Sequence, residues 1–191
     1  NRQTYPNLDA CKRSDLSFLH QSQEEHHKGV SPLADLNIGL VSHVPLEYMH
    51  LICLGAMKKL LLYWLRGDRS VRISMQLASC ISDEMLKLRQ YICCEFQRKP
   101  RPLNEVDRWK AVEFRLFLCY TGMVVLRDSL PSDLYHHFML LHAAVVMLLD
   151  PLTALPRCED ANKLLREFVS QLCKLYGAES MVYTMHNLIH V

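Results

Sequence analysis

From Phe138 to Leu149 twelve successive residues are apolar except for His142, and no other stretch limits the fold as tightly. A strand rarely keeps such a run beyond about eight residues, and a bilayer-spanning helix needs about 20. The run is therefore expected as a core helix, from Tyr135 to a stop at Asp150-Pro151. A proline-containing loop leads to Cys158. Beyond it Leu164, Leu165, Phe168, Leu172 and Leu175 recur at helical spacing, and Gly177 supplies the stop. Only six glycines occur in 191 residues, which favours helix over a turn-rich β sandwich. The fold class expected is mainly α.

The same spacing extends upstream. Pro45 suits a first helical position, and Leu46, Met49, Cys53, Met57, Leu60 and Trp64 form one face that Gly67 can end. A second pattern uses Ile73, Leu77, Ile81, Leu88, Ile92 and Phe96, with an interruption near Ser82 and a break at Arg98-Lys99-Pro100-Arg101-Pro102. Asn104 and Asp107 mark the start of a third helix, running through Trp109 to about Leu126, before a turn at Ser129–Ser132. Met181 onward starts a last helical segment. Residues 1–31 are polar and read as a loop or partly disordered lead-in, while 32–191 read as one helical region. Within the latter, Ile38–Val41 suits a short strand or an extended approach. The chain opens on Asn1, and Met185–Val191 is apolar-rich with no helix stop, so it reads as an internal piece of a larger protein.

A net charge of +2 does not mark a strongly basic nucleic-acid binder, so any DNA contact must come from local patches. Eight cysteines are scattered through apolar patterns with no C-x-x-C pair, which points to a reducing intracellular setting, cytosolic or nuclear. No membrane partner is expected.

Four groups of residues bear on chemistry. Glu47 and His50, three apart, would share a helix face and a hydrogen bond or metal. An ordinary ion pair near a helix start is the commoner use of such a pair. Glu113 lies among Trp109, Lys110, Leu116 and Phe117 at helical distances. A carboxylate there has a raised pKa, a cationic partner or a metal, and Lys110 is a ready partner. His186 and His190 are four apart, on one face, without the Glu of a metalloprotease motif. His136-His137 and His26-His27 are adjacent pairs that face different ways. The basic residues Lys58, Lys59, Arg66, Arg69 and Arg72, and separately Arg98, Lys99 and Arg101, are candidate phosphate contacts or plain solvated surface.

Four segments together resemble CACTA (En/Spm)-type transposases of animal genomes: His26–Leu33, Val44–Gly55, Trp109–Arg115 and Met185–His190. Their order and spacing fit, and the segment around Met49-His50 is the most specific. The resemblance implies the helical part of an RNase H-like catalytic domain that lacks most of its sheet. It also implies a DNA substrate, a nuclear location and the possibility of a homo-oligomer. In that family three acidic residues hold two divalent metals, Mg²⁺ or Mn²⁺, about 4 Å apart, which stabilise the attacking and leaving oxygens of strand cleavage and joining.

By the same resemblance Glu113 matches the third acid, and Glu47 and His50 match an Asp-x-x-His element with a metal-binding or structural role. A zinc site built on Glu47, His50 and later histidines is the lesser metal reading. Two departures matter. Position 47 holds Glu where the family usually has Asp, and one added methylene shifts a carboxylate by more than a metal site tolerates. The first two acids, the second followed by a C-x-x-C knuckle, are expected upstream of this chain; Asp9 and Asp15 lack the apolar strand such acids need. The expectation is thus a transposase-like piece inactive by itself, or a non-catalytic helical module that contacts protein or DNA.

Overall fold

The computed structural model describes residues 3–24 and 27–191; His26 of the His26-His27 pair lies outside them. The described residues form helices and turns with no strand, so the chain is mainly α. They fall into two compact units, one of residues 9–47 and one of residues 1–8 with 48–191, where composition placed its division after residue 31.

The 9–47 unit has no buried residue among those described. Helix α1, Asp15–Leu19, is capped by Ser14, whose hydroxyl accepts the Ser17 N–H. The Asp15 carboxylate accepts the N–H groups of Val41 and Ser42 at 2.8 and 2.9 Å and the Ser42 hydroxyl at 2.6 Å. Asn37, in the left-handed region at φ 51°, ends a 3₁₀ turn over Pro32–Leu36. The chain turns at residues 40–43, where the His43 N–H donates to the Gly39 carbonyl, and Ile38–Val41 forms no strand, which corrects that part of the reading.

In the larger unit, α6 (Ser132–Leu149) and α7 (Cys158–Tyr176) form the central pair. α6 is long and apolar enough to cross a membrane by length and composition. It buries one stripe: Leu134, His137, Phe138, Leu141, His142, Ala144 and Val145, the three-and-four spacing of a core-facing helix. α7 answers with Ala161, Leu165, Phe168, Val169, Leu172 and Tyr176. Its first turn carries Glu159 and Asp160 and its last Lys174, each matched to the helix dipole. Gly177 follows at φ +82°, a conformation that costs glycine nothing and ends the helix. The short loop from Asp150 to Arg157 makes the two helices antiparallel neighbours, closed by the Thr153 hydroxyl on the Met147 carbonyl at 2.9 Å.

Elsewhere the helices differ from those expected. The first begins at Tyr48, not Pro45, and residues 49–57 (Met49–Met57) wind as a π-helix before α2, Lys58–Arg66. Buried residues there run almost all round (Leu51, Ile52, Cys53, Gly55, Ala56 and Met57), so the π-helix is an interior element. α3, Met75–Leu88, is continuous through Ser82 and ends well before Pro100. Ser82 does not break it, because its hydroxyl donates to the Ala78 carbonyl within the helix and accepts the Leu103 N–H from outside.

The unbroken helix expected from Asn104 to Leu126 is several pieces. Leu103–Arg108 is a 3₁₀ turn, Trp109 and Lys110 are extended, and α4 spans Ala111–Leu116. A second π-helix, Phe117–Thr121, then leads into α5, Gly122–Val125. Asp107 caps nothing there; it pairs with Arg66 of α2 through two hydrogen bonds. The chain closes with α8, Tyr183–His186, and a 3₁₀ turn over Asn187–His190. Residues before Leu8 strap this end down: Tyr5 N–H donates to the Met181 carbonyl at 2.7 Å, and His186 Nδ1 meets the Tyr5 carbonyl at 2.9 Å.

One polar chain crosses the core. The Trp64 indole N–H reaches the Tyr176 oxygen at 3.2 Å, Tyr176 O–H reaches His137 Nδ1 at 3.3 Å, and His137 Nε2 meets the Phe168 carbonyl at 2.8 Å. A carbonyl only accepts, so Nε2 carries the proton and Nδ1 is the acceptor, and every link is satisfied by a neutral imidazole. Burial pushes His137 down to about 4, the carbonyl bond opposing this only in part. The unfolded chain then takes up a proton near pH 6.5 that the folded one refuses. Its contribution is present above 6.5 and fades as pH falls toward 4, to a limit of about 3 kcal/mol. Urea unfolding of the wild type and a non-titrating His137→Gln variant is expected to converge across that window. Parallel curves would remove His137 as the cause.

Candidate functional site

Glu113 sits at the third residue of α4, where the chain turns from extended to helical. Its side chain is only 2% exposed. The carboxylate reaches back to accept the Lys110 N–H at 2.8 Å, satisfying one of the free donors at the helix start. Arg101 binds it as a fork: Nε donates to Oε1 at 2.6 Å and Nη2 to Oε2 at 3.0 Å. The same guanidinium donates Nη1 to Glu105 at 3.0 Å and Nη2 to the Arg108 carbonyl at 2.6 Å. Arg98 stands 4.0 Å from Oε2. Burial alone would raise the Glu113 pKa, but the Arg101 hydrogen bonds, the Lys110 N–H and the two guanidinium charges together hold it below its ordinary value.

This geometry stabilises an ionised carboxylate and uses both its oxygens. A divalent cation needs several oxygen or nitrogen donors and disfavours neighbouring positive charge. Around Glu113 the nearest charged groups are two guanidiniums and Glu105, itself held by Arg101. Among the described residues no three of His, Cys, Asp and Glu come together in a way that could hold a metal. In this chain both Glu113 oxygens are taken by Arg101 and the Lys110 N–H, and no chemical step through metals follows from them.

Glu47 is exposed and immediately precedes Tyr48, the first helical residue of that stretch. His50 is exposed within the Met49–Met57 π-helix. His186 and His190 are brought together, their rings 5.3 Å apart. His142 is a core residue, its Nδ1 2.8 Å from the Leu118 carbonyl, and the ring of His136 meets the Ser132 carbonyl in its own helix at 2.6 Å.

Arg101 is the residue that the sequence left in a basic loop while Lys110 was offered as the partner of Glu113. One signal was available: Pro100 and Pro102 flank Arg101 and restrict its backbone, as suits a residue held in one place. The chain matches no protein-family model, no curated protein and no solved structure.

Proposed function

We propose that this chain is the helical part of an RNase H-like domain in a CACTA-type transposase-like protein, and that as this chain it neither cleaves nor joins DNA. The ancestry rests on the four resembling segments. The absence of chemistry rests on one observation, the Arg101 fork that occupies both oxygens of Glu113. On this reading Mg²⁺ or Mn²⁺, DNA strand transfer and a nuclear location belong to the complete protein, where Arg101 would have to swing away before Glu113 could bind metal.

A second reading is favoured by a different observation. Tyr120, Met123 and Val124 are exposed within barely one turn, on a segment whose other residues are core. A non-catalytic helical module would use such side chains for contacts to protein or DNA. Incubating the purified chain with supercoiled plasmid and Mn²⁺ or Mg²⁺ is expected to leave the plasmid intact. Reproducible metal-dependent nicking that disappears in Glu113→Gln would overturn the inactive assignment. In a longer protein that does nick DNA, equal activity with and without Glu113→Gln would favour the non-catalytic reading of this region.

A further inference from the structure

Residues 111–125 run without a break from α4 through the second π-helix into α5, a rod about 20 Å long. Most of its side chains are core. Those left exposed are Val112, Arg115, Tyr120, Met123 and Val124, which therefore make up its solvent side. A surface helix keeps polar residues for that side. Here four of the five are large and apolar, each 38–58% exposed. Between Arg115 and Tyr120 four successive residues are buried, which the wider turn of a π-helix permits. Two rings border the row. Phe96 packs edge-on against Tyr120 at 5.3 Å, and the Tyr135 hydroxyl donates to the Met123 carbonyl at 2.9 Å.

Charge along the rod is mostly of one sign. Arg108, Lys110, Arg115 and Arg127 are exposed within residues 108–128. The acids of that stretch are Asp128, 3.6 Å from Arg127, and Glu113, which is buried and held by Arg101.

We propose that this face docks an acidic amphipathic helix of a partner protein. The partner's apolar side covers Val112, Tyr120, Met123 and Val124, and its carboxylates meet the cations. The inference rests on the second reading above and names the partner which that reading left open. Tyr, Met and Arg are enriched at protein interfaces. The bordering rings hold the face ready-made, so little ordering is needed on binding. A nucleic acid would use the cations and leave the apolar row wet. A membrane surface calls for a broad apolar face, and this one is a single row on a rod whose other sides are core. A second copy would set like charge against like.

The probes are synthetic helical peptides of about 20 residues with one leucine stripe, the other side carrying glutamates in one peptide and lysines in the other. Each is titrated into the whole chain by fluorescence anisotropy. The glutamate peptide is expected to bind with a dissociation constant on the order of 10–100 µM, and the lysine peptide about tenfold more weakly. Val124→Asp and, separately, Arg115→Glu are each expected to weaken the glutamate peptide by about fivefold or more, with helix content unchanged by circular dichroism. Equal binding of the two peptides, or binding that neither substitution weakens, would overturn the proposal. Tighter binding of a DNA duplex, or a concentration-dependent dimer that Val124→Asp abolishes, would also overturn it while leaving the second reading standing. Binding to anionic phospholipid vesicles alone, or to no probe at all, would remove both.

Discussion

Replacing Arg101 with methionine is expected to destabilise the larger unit by about 3–5 kcal/mol at neutral pH, because it leaves a buried carboxylate without its cation. Methionine keeps most of the arginine's length, so the loss is chiefly electrostatic. Arg98, 4.0 Å away and largely solvated, is too loosely placed to substitute. The sign with pH separates this cause from a packing defect. Without Arg101 burial dominates at Glu113 and its pKa rises, so protonation relieves the penalty and the deficit shrinks toward pH 4. In the wild type the pKa is lowered, so the pair contributes above the ordinary Glu range and is lost as pH falls. Adding Glu113→Gln to Arg101→Met should recover part of the loss, since a neutral amide is cheaper to bury. Urea denaturation of the two single variants and the double at pH 7 and pH 4.5 tests this. A single variant within about 1 kcal/mol of wild type at pH 7, or a deficit that does not change with pH, would mean that Arg101 does not hold Glu113 as described.

That Glu113 is buried was legible in the sequence, and its partner was not. A carboxylate between Trp109, Phe114 and Phe117 has nowhere apolar-free to go, whatever the fold. The Lys110 ammonium would pair with it if one helix contained both, but Lys110 is extended at the start of α4 and supplies its backbone N–H instead. Arg101 arrives from twelve residues away, across a 3₁₀ turn that no periodicity announces.

The same contrast runs through the fold. The ends of α6 and α7 were legible to the residue, because a full apolar stripe stops at Asp150 in one and Gly177 in the other, while α6 begins at Ser132, three residues before the expected Tyr135. The π-helices were not. Their ladder runs to the fifth residue rather than the fourth, and residues 51–57 bury almost every side chain. A stretch buried all round carries no phase from which to read its winding. The Ser82 position misled for a related reason: a hydroxyl in an apolar pattern reads as an interruption, but here it satisfies two backbone groups at once.

The largest packing loss is expected at Phe138, where several elements meet. Its ring is fully buried, 6.1 Å from that of Trp64 on α2, 6.3 Å from that of Phe117 on the second π-helix and 6.1 Å from that of His142. Opposite the ring tip lies Gly122, where an added Cβ would come within 2.9 Å of Phe138 Cζ, so the ring presses on bare backbone. Phe138→Ala therefore opens a cavity that its surroundings cannot close, since the neighbouring rings are fixed by their own helices and Gly122 has no side chain to offer. The expected cost is in the upper part of the range of about 3–5 kcal/mol typical for such truncations. That is a large share of the roughly 5–15 kcal/mol that holds a domain together. Phe138→Leu, which retains much of the volume, should cost well under half as much. Val146→Ala on the exposed side of the same helix should stay within about 0.5 kcal/mol. Urea midpoints for the three variants give the ranking directly. A Phe138→Ala loss no larger than that of Val146→Ala would show that α6 does not pack through this ring, and with it would go the placement of α2 and the second π-helix against α6.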